Sequence, residues 1–253
     1  MKSNLFIAVS IVIILSIIAM YKNTESYKSF SSKDAHQGVA IDGNHIYVIN
    51  NKSISKHDKE TYNLVDRWVA SESSAIKHLN GGRVNGDKLI CTNSLKNSNT
   101  IEIFKTSSME HIKSIPIDAD GYLTWTYVDE YTDNLYGIIA HYKYNMDKSR
   151  LVRFDDTDDD YKIVRKWRLP QELLDRIRPW SLSGGFIYNG FIYCTTHDKP
   201  EIYKLKIDGK KLDQVSIIPI NSRGQGIDYD WDSKELYSIN RNEKKVIISN
   251  FDQ

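Results

Sequence analysis

A chain of 253 residues can hold one large domain or two small ones with a substantial buried core. Its 34 Lys plus Arg stand against 33 Asp plus Glu, a formal net charge of +1. That balance offers no basic field for nucleic acid or another polyanion. Sixteen Tyr and five Trp against four Met point to strands and stacking surfaces rather than helix packing.

The first element is the run Leu5 to Met20, LFIAVSIVIILSIIAM, apolar throughout and flanked by Lys2 and Lys22. At ~1.5 Å per residue it spans roughly 24 Å, slightly short of a hydrocarbon core of about 30 Å. Residues 1–21 therefore read as a signal peptide or signal anchor. The small-x-small cleavage pattern is poor, because Ile17 stands two residues before Ala19 and Met20 follows it. An uncleaved hydrophobic helix is the expectation, with the rest of the chain on the extracytoplasmic side. Residues 22–35 read as a polar tether.

From there the chain repeats. HQGVAIDGNHIYVINN at 36–51 returns as GQGIDYDWDSKELYSINR at 224–241. A strand of the type apolar-Tyr-small-apolar recurs around Tyr47, Ile90, Tyr136, Tyr193 and Tyr237, at intervals of 43, 46, 57 and 44 residues. Those periods suit four-stranded propeller blades of about 40–50 residues. A turn precedes each strand: Asp42-Gly43, Asn85-Gly86, Asp133-Asn134, Asn189-Gly190 and Asp232-Ser233. Asn-Gly and Asp-Gly suit two-residue hairpins, whose central residues need positive φ. Further upstream lie Gln37, Asn80, Thr124, Ser183 and Gln225, four of them followed by glycine and Thr124 by Trp125.

The fold expected is all-β: a five-bladed β-propeller with four-stranded blades over residues 36–253, preceded by the N-terminal hydrophobic helix. The long fourth interval holds LPQELLDRI, where Pro170, Leu173, Leu174 and Ile177 predict one short amphipathic helix. The last repeat has only three strands, so the segment Tyr27 to Phe30 is expected to supply the fourth and close the ring. Cys91 and Cys194 share a column with Val48, Gly137 and Ser238, which wants a small residue and predicts two free buried thiols.

On that frame, the loops entering the inner strands and the ends of the second strands open on one face. The entering loops carry His36, His78, Tyr122, Ser181 and Arg223, and the strand ends carry Asn51, Ser94, His141, His197 and Arg241. His45, His57 and His111 fall at a hairpin turn and on outer strands. The expected ligand-binding set at the mouth is His36, Gln37, His78, Asn80, Trp125, His141, His197, Asp198, Arg223, Gln225 and Arg241. Imidazoles near neutral pH exchange protons or ligate metals. His36, His78, His141 and His197 would be the ligands of one divalent metal, although no short-range metal motif accompanies them. Arg223 and Arg241 suit an anionic group, and Asp198 could orient the His197 ring. The polar, Gly-rich inner ring also has a structural reason, since backbones crowd the axis. No residue is assigned a catalytic role.

The run Asp155-Asp156-Thr157-Asp158-Asp159-Asp160 lacks the sixth-position Gly and twelfth-position Glu of a helix-loop-helix calcium site. It reads as a solvated loop between outer strands of the third blade. No Gly-x-Ser-x-Gly elbow, phosphate loop or dinucleotide fingerprint occurs.

GYLTW, AHY, LVRFDD, WRLPQELLDRI, SLSGG, THDKPEIYKL and INSRGQGIDYD together resemble a group of exported bacterial propeller proteins of unassigned biochemistry. The likeness covers most of residues 36–250. HQG followed by a strand, a Lys-x-Asp turn and a tryptophan is similar, more distantly, to the first blade of the five-bladed plant-type glutaminyl cyclases. That resemblance implies cyclisation of N-terminal glutamine, but the family's later acidic Asn-Glu-Leu-Glu stretch has no counterpart here. Two functions stay open. One is a lyase, cyclotransferase or hydrolase acting on a small anionic molecule. The other is a non-catalytic propeller binding a ligand or protein partner outside the cytoplasmic membrane. Clustered ionisable groups favour the first, and the lack of a recognised catalytic arrangement favours the second.

Overall fold

The computed structural model describes residues 27–251, apart from residue 130, residues 158–159 and the side chains of 156–157. The apolar run Leu5 to Met20 and its expected anchor role lie outside the described residues. Among those described, no helix is long and apolar enough to cross a membrane.

Twenty strands form five four-stranded antiparallel sheets. A short strand, β1 (Lys28–Ser31), precedes the first blade, which comprises β2 (Gly38–Ile41), β3 (His45–Asn50), β4 (Ser53–Asp58) and β5 (Leu64–Val69). The second holds β6 (Leu79–Asn85), β7 (Lys88–Asn93), β8 (Asn99–Lys105) and β9 (His111–Ile117). The third holds β10 (Tyr122–Asp129), β11 (Asn134–Ala140), β12 (Arg150–Thr157) and β13 (Asp160–Arg168). The fourth holds β14 (Leu182–Tyr188), β15 (Phe191–Thr196), β16 (Glu201–Asp208) and β17 (Lys211–Pro219). The fifth runs β18 (Ile227–Asp230), β19 (Glu235–Asn240) and β20 (Lys245–Asn250), and β1 pairs on its outer edge. The helix expected in the fourth interval is α1 (Gln171–Ile177), burying Leu173, Leu174 and Ile177.

The ring closes as the missing strand required. Lys28 to Ser31 pair with Ile248 to Lys245, so β20 is covered and the last blade has four strands like the others. Much of the expected tether is thus ordered structure. Asp34, buried just beyond β1, accepts from Ser53 Oγ at 2.7 Å, from Ser55 Oγ, and from Arg67 Nε and Nη2 at 2.7 and 3.0 Å. Burial opposes the carboxylate charge, but the bonds from Arg67, Ser55 and Ser53 outweigh it and hold its pKa well below the usual range. His57 of β4 holds the same segment. It is buried, bonds Ser32 Oγ through Nε2 at 3.0 Å, and packs against Phe30.

Apolar columns of neighbouring blades meet face to face. Tyr47, Ile49 and Ile54 of the first blade join Leu79, Leu89 and Phe104 of the second in one core cluster. Trp125 of the third joins Phe186 and Tyr193 of the fourth in another. Cys91 and Cys194 are free and buried, and burial pushes both thiols up. The column is tight at Gly137, where a Cβ would stand 2.8 Å from the Trp125 carbonyl oxygen and 3.1 Å from the Phe154 ring.

The hairpin chemistry differs from the expectation in four of the five blades. Only Asn189-Gly190 places both residues at positive φ, 49° and 74°. Gly43 does not have positive φ; instead Asp42 Oδ1 accepts from the Asn44 and His45 amides, each at 2.7 Å. Asp129 and Asp230 organise their turns in the same way, accepting from the Tyr131 and Asp232 amides. The aspartate side chain, rather than a glycine dihedral, shapes these longer loops. Where the acidic run falls, β12 and β13 pair as far as Thr157 with Asp160.

Candidate functional site

At the axis the inner strands come close enough that only glycine fits. A Cβ on Gly226 would stand 2.4 Å from Gly38 Cα, and one on Gly184 would stand 2.5 Å from Gly226 Cα. The Gly226 amide donates to the Gln37 carbonyl at 2.8 Å, which joins the last repeat to the first. The inner strands of the second, third and fourth blades carry register shifts at Leu79/Gly82, Leu123/Trp125 and Leu182/Gly184. Asn80, Thr124 and Ser183 therefore sit at bulges, which turn a side chain off the regular pleat.

Several ring residues serve the scaffold. Thr124 Oγ1 donates to the Leu182 carbonyl at 2.7 Å, tying the third blade to the fourth. Gln225 Nε2 donates to the His197 carbonyl at 2.6 Å. Trp125 is buried against Gly185 of the fourth blade rather than lining the mouth, although its Nε1 has no partner. Asn80 Oδ1 is also buried without one.

Toward the other end, Arg83 of β6 donates to Asp228 of β18, with Nη1 3.1 Å from Oδ1. Both are buried, and the pair reaches from the second blade to the fifth, past the first. Burial raises the Asp228 pKa against the pull of Arg83. The Arg83 guanidinium also lies 4.8 Å from the centre of the Tyr127 ring. The channel therefore has a cross-brace at this end, and the histidine mouth lies at the other.

Three of the four expected histidines share that mouth, where His36 lies within electrostatic reach of His78 and His197. Gln37 Nε2 donates to Asn51 Oδ1 at 2.6 Å and lies 3.5 Å from His78 Nε2. Arg241 Nη1 donates to His197 Nε2 at 3.1 Å, and the Trp180 ring stacks on His197 with centroids 4.3 Å apart. Accepting at Nε2 leaves the His197 proton on Nδ1, and that atom is buried with no protein partner. His36 Nδ1 is likewise buried and unpartnered, as are Ser181 Oγ and Ser222 Oγ in the loops entering β14 and β18.

The charges explain the state of the imidazoles. Burial pushes His36 down to about 4, and Lys244, Arg241, His78 and His197 push the same way. Burial and Arg241 lower His197 while Asp198 opposes them, and burial lowers His78. At neutral pH the mouth holds uncharged imidazoles beside fixed cations. Asp198 and Arg223 are exposed at its edge.

His141 does not join them. Its ring faces Gly121, and it lines a separate cleft of about 260 Å³ with Ala119, Asp120, Lys148 and Arg150. Nor does a metal-ligand set assemble. Among the described residues, no three His, Cys, Asp or Glu side chains are grouped to hold a metal ion. His36, His78, His141 and His197 therefore find no geometric support as metal ligands. Sequence reasoning missed Lys244, Trp180 and Ser222. The rule that put Arg241 at the mouth extends to Lys244, because the turn 241–244 joins β19 to β20 on that same face.

Similarity to known proteins extends to the fold. No family model matches the chain, and no curated protein matches it in sequence. Among solved structures, glutaminyl cyclase from Myxococcus xanthus superposes with a TM-score of 0.64 at 10% identity, over 89% of this chain and 96% of that one. The PQQ-bound aldose sugar dehydrogenase of Streptomyces coelicolor gives 0.52 at 9% identity, over 89% and 98%. Hydrazine synthase of Kuenenia stuttgartiensis gives 0.51 at 16% identity, and this chain covers 79% of itself but 60% of that chain. At these identities the likeness is one of propeller architecture.

Proposed function

We propose that the histidine mouth binds a small anionic molecule. The observation that carries this reading is the pairing of fixed positive charge with unsatisfied donors. Arg241 and Lys244 flank His36 and His197, and the His197 Nδ1 proton has no acceptor in the protein. A carboxylate or phosphoryl group at the mouth would meet the fixed charges of Arg241 and Lys244. The Trp180–His197 stack offers a flat apolar wall for the rest of the molecule. Expected contacts are His36, His78, His197 and Arg241, with Asp198 and Arg223 at the rim.

A second reading adds proton transfer, as in a lyase, cyclotransferase or hydrolase. Its support is the neutral state of His36, since an uncharged imidazole beside a bound anion can take up a proton. A cyclotransferase of the glutaminyl-cyclase kind is one form of it, suggested by the shared architecture. In either reading the propeller works outside the cytoplasmic membrane, held there by the apolar run Leu5 to Met20.

The test is binding and turnover in the same set of variants. Phosphate, succinate and an N-terminal glutaminyl peptide would be titrated against the protein and its Arg241→Ala and His197→Ala forms. Loss of saturable binding in Arg241→Ala, with the melting temperature held, supports an anion site. Binding that survives both substitutions contradicts it. Turnover of the peptide that is lost in His197→Ala selects the catalytic reading.

A further inference from the structure

A second cleft lies between the third and fourth blades, at the hairpin-turn end and away from the histidine mouth. It has a volume of about 190 Å³ and is lined by Asp129, Arg153, Arg165 and Trp167 on one side and by Ile187 and Ile192 on the other. Its charge pattern sets it apart from the corresponding rows of the other blades.

Tyr136 pairs in register with Arg153 across β11 and β12, and Arg153 pairs with Arg165 across β12 and β13. The same row in the first blade reads Tyr47, Lys56, Asp66, and in the fourth Tyr193, Lys204, Ser216. A tyrosine beside a cation thus recurs in the first, third and fourth blades, whereas Tyr237 of the fifth pairs with Ile248. In the first blade a carboxylate follows, and in the fourth a neutral hydroxyl. Only in the third does a second cation follow the first, and like charges directly opposite are unfavourable.

Among the described residues their charge is offset only in part, by Asp129 in the same cleft, and no carboxylate is paired with either. Neither arginine has a carboxylate within ion-pair distance, and Arg153 Nε is buried with no acceptor. Asp129, the one acidic side chain in the cleft, is committed to its own turn through the Tyr131 amide and the Thr132 hydroxyl. Trp167 is fixed by its Nε1 bond to the Gly209 carbonyl at 3.1 Å, and the Arg165 guanidinium lies 5.6 Å from its ring centre.

We propose that this cleft is a binding site for a small carboxylate with a flat apolar body. The carboxylate would sit between Arg153 and Arg165, where a planar guanidinium offers paired donors that a lysine does not. The apolar body would lie between Trp167 and the Ile187–Ile192 wall. The site is independent of the histidine mouth and stands or falls without it.

The test uses variants that the sister blades already carry at the equivalent positions, so neither threatens the fold. These are Arg153→Lys, as at Lys56 and Lys204, and Arg165→Ser, as at Ser216. Benzoate, its neutral isostere benzamide and inorganic phosphate would each be titrated while the Trp167 indole N–H is followed by NMR. Benzoate should shift that resonance saturably, and benzamide should not. Each variant should weaken benzoate by about tenfold, in line with loss of one charge-assisted contact. His197→Ala should leave benzoate binding intact. No saturable shift with benzoate, or a shift that both variants retain, would overturn the site. Phosphate binding as tightly as benzoate would overturn the apolar half of the proposal.

Discussion

The Gly226 amide and the Gln37 carbonyl, 2.8 Å apart, are the point at which the last inner strand is tied to the first. The contact is tight because Gly226 faces Gly38 with no room for a Cβ between them. Gly226→Ala should therefore strain ring closure rather than one blade. Forcing a methyl into a packed interior typically costs about 1–3 kcal/mol. Thermal melts should show a clear fall in melting temperature. Gly43→Ala, whose Cβ would meet nothing within 4 Å, is the matched control and should change little.

Residues 28–35 should behave as part of the propeller. Removing residues 1–20 should leave a domain of unchanged stability, whereas removing residues 1–34 also deletes β1 and Asp34. Arg67, Ser53 and Ser55 would then lose their shared acceptor. Asp34→Ala alone should cost about 1–3 kcal/mol, the usual penalty for leaving buried hydrogen-bond partners such as Ser53 and Ser55 unsatisfied. Chemical denaturation of these variants checks both expectations.

Asp34 also sets an acid limit. Its folded pKa lies below the unfolded value of about 3.9, so its contribution is complete above that value and fades as pH falls below it. Asp34→Asn should be less stable at neutral pH and should lose less on further acidification. Equal acid sensitivity in Asp34→Asn and the parent would remove this aspartate as the cause.

The histidines act at milder pH. His36, His57, His78 and His197 all have folded pKa values lowered mainly by burial. Each favours folding while neutral, so stability is full above about 6.5 and declines as pH falls below it. For His36 the decline continues to about 4. Stability measured between pH 7 and 4 should fall, and His36→Gln should flatten part of that slope. A flat profile in the parent protein would contradict the burial argument.

Much of the architecture was legible because the propeller repeats its chemistry. The column through Tyr47, Tyr136, Tyr193 and Tyr237, the inner glycines and the missing fourth strand each had a local signature. Parts of the site were less so. Whether a strand-end side chain turns to the axis or outward depends on the following loop, and the sequence spacing is the same for both. His197 is turned inward by Arg241 and Trp180, while His141 sits against Gly121 in an outer cleft. The burial of His57 is hidden from the repeat pattern for a related reason. Its partner Ser32 lies 25 residues away on a segment that periodicity alone reads as a tether.

The central claim, a cationic mouth of neutral imidazoles built for an anion, is tested most directly by titrating the His36 and His197 ring protons by NMR, with and without saturating succinate. Without ligand, His36 should titrate near 4. With succinate bound, its pKa should rise as the anion offsets Arg241 and Lys244, both rings should shift saturably, and protein should take up protons on binding at pH 6. Arg241→Ala should abolish the ligand effect. A His36 pKa at the ordinary value of about 6.5 that is indifferent to succinate, phosphate and every other small anion tried would contradict the account.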